Sequence, residues 1–242
     1  MNPSFTPCLS RRGFQRVGSA ALAGLLLAAW GRAQALSLGD LSNADANSGV
    51  KAALEKGANV AVDLLGKPGG FLDNPKVRIP LPGGMDQAAQ LLRNFGQGQK
   101  VDELVTAMNR AAEAAVPMGK EVLLGAVHSM TVSDAKGILT GGEHSVTDFF
   151  AAKTREPLGQ RFLPIVTQAT EKVSLAQRYN DFAGRASKFG LIKSEDADLP
   201  HYVTGKTLDG LYLVIGEEEQ KIRQDPVGTG SQILAKVFGA VH

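Results

Sequence analysis

The chain has 242 residues, 26 of them basic and 24 acidic, with one cysteine, one tryptophan and 43% apolar content. Residues 1–35 hold four of the arginines, no acid, Cys8 and Trp30, so the remaining 207 residues carry 22 basic and 24 acidic side chains. That near-neutral balance argues against nucleic-acid binding, and the absence of cysteine after residue 35 excludes disulfides, thiolate metal sites and thiol catalysis there.

The first segment reads as an export signal. Ser10-Arg11-Arg12-Gly13-Phe14 resembles the twin-arginine motif, in which Arg11 and Arg12 precede the apolar Phe14. The apolar run from Val17 to Trp30 spans 14 residues, too short for a bilayer, which needs about 20. Ala33-Gln34-Ala35 has the form of an A-x-A cleavage site, so cleavage is expected after Ala35. The expected organisation is a cleavable signal at 1–35 and a single all-helical domain at 36–242, located in a bacterial periplasm. An ordinary secretory signal is the alternative route. No later apolar run is long enough to span a membrane, so the mature chain is expected to have no transmembrane segment.

Helical periodicity dominates the rest. Short helices are expected over Asn47–Leu65, Met85–Phe95, Ser133–Leu139, His144–Lys153 and Gly230–Phe238. Stripes of 3.6-residue period run through Val101–Ala112, Val122–Met130, Leu158–Val173, Leu175–Phe189 and Leu208–Ile222. Pro117 predicts a kink or a break, and Pro164 a kink or a first-turn position. Gly66, Gly96 and Gly190 stand where left-handed helix stops are expected. Strand-like alternation occurs only in Val77-Arg78-Ile79-Pro80-Leu81-Pro82, where the prolines predict an extended arm instead of a sheet strand. The fold class is therefore all-α: a single compact multi-helix bundle with no substantial β-sheet and one long irregular Pro/Gly-rich arm from Gly66 to Gly84. Phe71, Leu72, Val77, Ile79 and Leu81 can pin that arm across a bundle face; a ligand lid or partner-binding arm is the sharper reading.

Several short strings together are similar to one family. Leu41-Ser42-Asn43-Ala44-Asp45, Met108-Asn109-Arg110-Ala111-Ala112-Glu113, Met130-Thr131 with Asp134-Ala135, and Leu208-Asp209-Gly210-Leu211 through Glu217-Glu218-Glu219 to Ile222-Arg223-Gln224 resemble domain of unknown function 4197, an uncharacterised bacterial family. The resemblance implies a helical exported protein of Gram-negative bacteria with no established activity. It supplies no functional residues.

Candidate chemistry concentrates in two places. Glu143, His144 and Asp148, with Asp134 nearby in sequence, hold carboxylates and an imidazole that suit metal binding or acid–base work. A helix-capping role for the same residues is the plainer reading, and Thr131 with Asp134 has the spacing of a capping box. Gly141-Gly142 offers backbone donors to a phosphate, but the neighbouring Glu143 would repel it. The second place is the run Glu217, Glu218, Glu219, Lys221 and Arg223. It reads as a solvated charged face with Glu217–Lys221 and Glu219–Arg223 pairs, or as a docking face formed by Glu217, Glu218, Lys221 and Arg223. Arg110 and Glu113, on a helix otherwise built of Ala, Val and Met, predict a polar network near the core that either fixes packing or lines a pocket.

No nucleophile-elbow, zinc-protease, phosphate-loop or dinucleotide fingerprint occurs after residue 35. No cofactor is predicted. The expected function is non-enzymatic binding of an envelope protein or an apolar small molecule. The alternative is a metal-dependent or acid/base enzyme centred on Glu143, His144 and Asp148.

Overall fold

The computed structural model describes residues 43–83, 85–177, 179–180 and 198–225. The signal residues Arg11, Arg12, Phe14, Ala33 and Ala35, the stop at Gly190 and the helix expected over 230–238 lie outside the described residues. So does most of the stripe expected over 175–189. The described residues form seven α-helices and no strand: α1 (Asn43–Leu65), α2 (Met85–Asn94), α3 (Gly98–Ala115), α4 (Lys120–His128), α5 (Val132–Thr140), α6 (Ser145–Thr170) and α7 (Leu199–Gln224). The fold is all-α.

α1 buries Val50, Leu54, Ala58, Ala61 and Leu65, a stripe at helical spacing that it turns toward α4, α5 and α7. α2 stops at Gly96, whose φ of +74° needs a residue without a Cβ. The stop read at Gly66 is corrected: the left-handed glycine after α1 is Gly69, inside the arm. α3 passes into α4 through a 3₁₀ turn, Val116–Gly119, with Pro117 in its first turn, so the proline tightens the connection without breaking it.

α5 opens on a full capping box. The Thr131 hydroxyl accepts from the Asp134 N–H at 3.1 Å, and the Asp134 carboxylate accepts from the Thr131 N–H at 2.9 Å. Bonds from the Thr131 N–H and from the Thr131 hydroxyl, the latter at 2.8 Å, hold the Asp134 carboxyl below its ordinary range. Thr131→Ala is expected to lower stability by about 1 kcal/mol, measured as a shift of the urea midpoint at constant slope.

α6 differs most from the sequence reading. The stretches expected at 144–153 and 158–173 are one helix of 26 residues, with Pro157 and Pro164 both inside it. An interior proline costs about 3 kcal/mol. Burying a large apolar side chain returns about 1.5–3 kcal/mol, and Phe150, Leu158, Phe162 and Val166 on this helix are all completely buried. Both prolines stand on the exposed face, where solvent reaches the carbonyls they leave without donors.

α7 is the central helix, packed on α6, α1 and α3. Its buried residues number 15 of 26, and a stripe at Lys206, Asp209, Leu213, Glu217 and Gln220 reaches solvent along its length, as do His201 near its start and Lys221 and Gln224 near its end. It begins nine residues before the stripe read from Leu208, because Gly205 and the β-branched Val203, Thr204 and Thr207 blur the periodic signal. The arm crosses it at Gly210, where a Cβ would stand 2.8 Å from Phe71 and 3.2 Å from Val77. Gly210→Ala is expected to cost about 1–3 kcal/mol through overpacking, despite alanine's helix advantage of about 1 kcal/mol. Gly205→Ala, with nothing within 4 Å of the new Cβ, is expected to gain up to about 1 kcal/mol. Urea melts of the two variants side by side check the contrast.

Candidate functional site

The arm is held to the bundle by two side chains of α3. Glu113 is buried, and its Oε1 accepts the backbone N–H groups of Gly69, Phe71 and Leu72 at 3.0–3.1 Å. Its Oε2 accepts from Arg110 at 2.6 Å. Burial works against the ionised carboxyl, but the bonds from Leu72, Arg110 and Phe71 outweigh it and hold the carboxyl below its ordinary range. One turn earlier, the Asn109 amide treats Ile79 as a neighbouring strand would. It accepts from the Ile79 N–H at 2.8 Å and donates to the Ile79 carbonyl at 3.0 Å. Phe71, Val77 and Ile79 are buried beneath. The Arg110–Glu113 network read from sequence fixes the arm, and the arm in turn forms one wall beside α7.

The opposite wall is the start of α6, and α7 itself holds it. Glu219, buried on α7, accepts the N–H groups of Val146 and Thr147 at 3.0 and 3.1 Å and the Thr147 hydroxyl at 3.0 Å. These are the donors that a helix N-terminus leaves without partners. Arg223 donates to Glu219 at 3.0 Å, to the Ser145 hydroxyl at 2.7 Å and to the Ile138 carbonyl at 3.1 Å, tying the end of α5 into the same knot.

Between these walls the exposed stripe of α7 forms the floor of a groove. One part, of about 240 Å³, lies against arm residues 76–80; another, of about 390 Å³, lies against α6. They adjoin at Asp209 and Leu213, which line both. Leu213 keeps 43% of its surface exposed, an apolar side chain between polar walls. Lys76 pairs with Glu217 at 2.6 Å, and Arg155 pairs with Asp209 at 3.0 Å while lying 5.1 Å from the centre of the Tyr212 ring. Tyr212 is buried and shares a 2.9 Å bond with Thr154, and burial pushes its phenol up. It therefore stays neutral and serves as a rigid platform for Arg155.

The sequence candidates are dispersed. Asp134 is occupied by the α5 cap. His144 precedes α6 at its N-cap position but makes no side-chain capping bond; its carbonyl accepts the Asp148 N–H at 2.8 Å. The capping role read for Glu143 and His144 falls instead to Glu219, from a different helix. Glu143, His144 and Asp148 are exposed, and among the described residues no three His, Cys, Asp or Glu side chains are grouped to hold a metal. His144 lines the α6 side of the groove.

The charge run is also redistributed. Glu217 turns to Lys76 of the arm and not to Lys221, and Lys221 pairs with Glu218 at 2.6 Å. Glu219–Arg223 forms as read, but the solvated face is corrected: those side chains are only 1% and 14% exposed. Lys76, Arg78, Arg155, Lys206, Asp209 and Leu213 were not singled out in sequence, because nothing local marks residues 141 positions apart as neighbours.

A small void of about 10 Å³ between α1, α6 and α7 has room for one water at most. What the described residues define is a helical domain with a filled core and a walled surface groove. The model of a family described as a protein of unknown function, DUF4197, matches residues 40–239, and the chain belongs to that family. No curated protein and no solved structure matches it.

Proposed function

We propose that this chain is an exported, non-enzymatic binding domain that captures a protein partner in the groove along α7. The observation that carries this reading is the groove floor: a half-exposed leucine among polar side chains on a mostly buried helix, between two walls each fixed by a buried carboxylate. Such a surface is built rigid before any partner arrives, which lowers the ordering cost of binding.

The test compares Leu213→Asp with Leu91→Asp, since Leu91 is exposed on α2, away from the groove. Each variant is affinity-purified from its own host beside the wild type. The expected result is loss of a co-purifying protein in Leu213→Asp alone. Equal recovery from both variants overturns the reading.

Export rests on Arg11, Arg12, Phe14 and the Ala33-Gln34-Ala35 site. The mass of protein recovered from the periplasm is expected to correspond to a chain starting at Leu36. An uncleaved mass in the cytoplasmic fraction contradicts it.

A further inference from the structure

The groove has a charge signature that narrows its occupant. Four cationic side chains line it, Lys76, Arg78, Arg155 and Lys206, against two carboxylates, Asp209 and Glu217. Both carboxylates are already engaged, Glu217 by Lys76 and Asp209 by Arg155. Lys206 reaches Asp209 only at 3.9 Å, and Arg78 donates to the Leu72 carbonyl while its charge acts on Asp102 of α3. The excess of base is local, since residues 36–242 carry 22 basic against 24 acidic side chains. From Lys206 to Gln220 the floor extends about 21 Å at 1.5 Å per residue, the span of about six residues of extended chain. Leu213 lies at its middle.

We infer that the groove takes an extended acidic segment of a partner protein, about six residues long, with one apolar side chain seated on Leu213 and carboxylates facing Arg78 and Lys206. This rests on the groove being the partner surface, and it goes further by naming the chemistry of what enters. Surplus positive charge gives the segment its preference and speeds its arrival, while the apolar contact sets how long it stays.

The probe is a fluorescein-labelled nine-residue peptide of alternating Asp and Glu around a central Leu, titrated with the mature domain and followed by anisotropy. A peptide with Lys and Arg at the charged positions, and one with Ser at the centre, are the controls. The acidic Leu peptide is expected to bind at least tenfold more tightly than either control, and to weaken severalfold between about 50 and 300 mM salt as screening shortens the reach of the charges. Leu213→Asp and the double variant Arg78→Glu/Lys206→Glu are each expected to weaken it at least tenfold. The double variant should also shift preference toward the basic peptide.

All three positions are exposed, and Lys206→Glu alone serves as the check if Arg78→Glu loosens the arm. Equal binding of the acidic and basic peptides, binding untouched by the substitutions, or no binding overturns the inference. Concentration-dependent dimerisation abolished by Leu213→Asp overturns it too, in favour of a second copy of the chain. If Leu213→Asp loses the cellular partner while the acidic peptide never binds, the groove stands and the acidic segment falls. If co-purification is also unaffected, both fall.

Discussion

Replacing Glu113 by alanine is expected to release the arm and to cost on the order of 3–5 kcal/mol of stability. Removing this one carboxylate orphans the N–H groups of Gly69, Phe71 and Leu72 together. Each buried donor left without a partner costs about 1–3 kcal/mol, and some of that is recovered where the loosened arm admits water. Arg110 adds little to the loss, because its side chain is 45% exposed and hydrates when its partner is gone. The urea midpoint reports the loss, and limited proteolysis within 66–84 reports where it occurs.

The dependence on pH has a definite sign. The Glu113 carboxyl titrates below its ordinary range in the folded chain, so its contribution is fully present above the unfolded value of about 4.3. It is lost as pH falls through the lower folded value. The gap between wild type and Glu113→Ala is therefore expected to be widest at neutral pH and to narrow below about pH 4. A gap that stays constant down to pH 2 would mean that the ionised carboxylate is not what holds the arm.

Glu219→Ala is expected to be at least as damaging, by about 3–5 kcal/mol, for a different reason. Here the partner left behind is buried: the Arg223 side chain is only 14% exposed, and it loses its bonds to the carboxylate while keeping those to Ser145 and Ile138. The Val146 and Thr147 donors at the start of α6 are lost with it. Arg223→Met is expected to cost less in the Glu219→Ala background than in the wild type, because the two side chains belong to one knot. Losses that simply add would mean that the two side chains act independently. Glu113 thus positions one wall of the groove and Glu219 the other.

Much of this was legible from residue spacing. The stripes of α1, α3 and α4, the capping box at Thr131 and Asp134, the arm pinned by Phe71, Val77 and Ile79, and the Arg110–Glu113 pair all follow from local rules. Glu219 was legible too, though it was read as solvated: Ile215, Glu219 and Ile222 stand at offsets 0, 4 and 7, which puts the glutamate on the apolar stripe itself. An i,i+4 Glu–Arg pair looks the same in sequence whether it faces water or the core, and only the gap in that stripe distinguished the two.

Pro157 and Pro164 hid the continuity of α6, because tertiary burial of Phe150, Leu158 and Phe162 overrides a local penalty that spacing alone cannot weigh. The groove was not legible at all. Its walls come from the arm and α6, its floor from α7, and its charged pairs join residues 54 and 141 positions apart.

The proposed binding surface is the α7 groove. It is tested most directly by placing a photo-cross-linking amino acid at position 213 and, in a parallel strain, at position 136, an exposed lysine on α5. Irradiation of living cells is expected to give one discrete adduct from position 213 and none from 136. The adduct should fade when Arg78→Glu and Lys206→Glu are added to the same chain. No adduct at 213, or the same adduct from both positions, would rule out the groove as that surface.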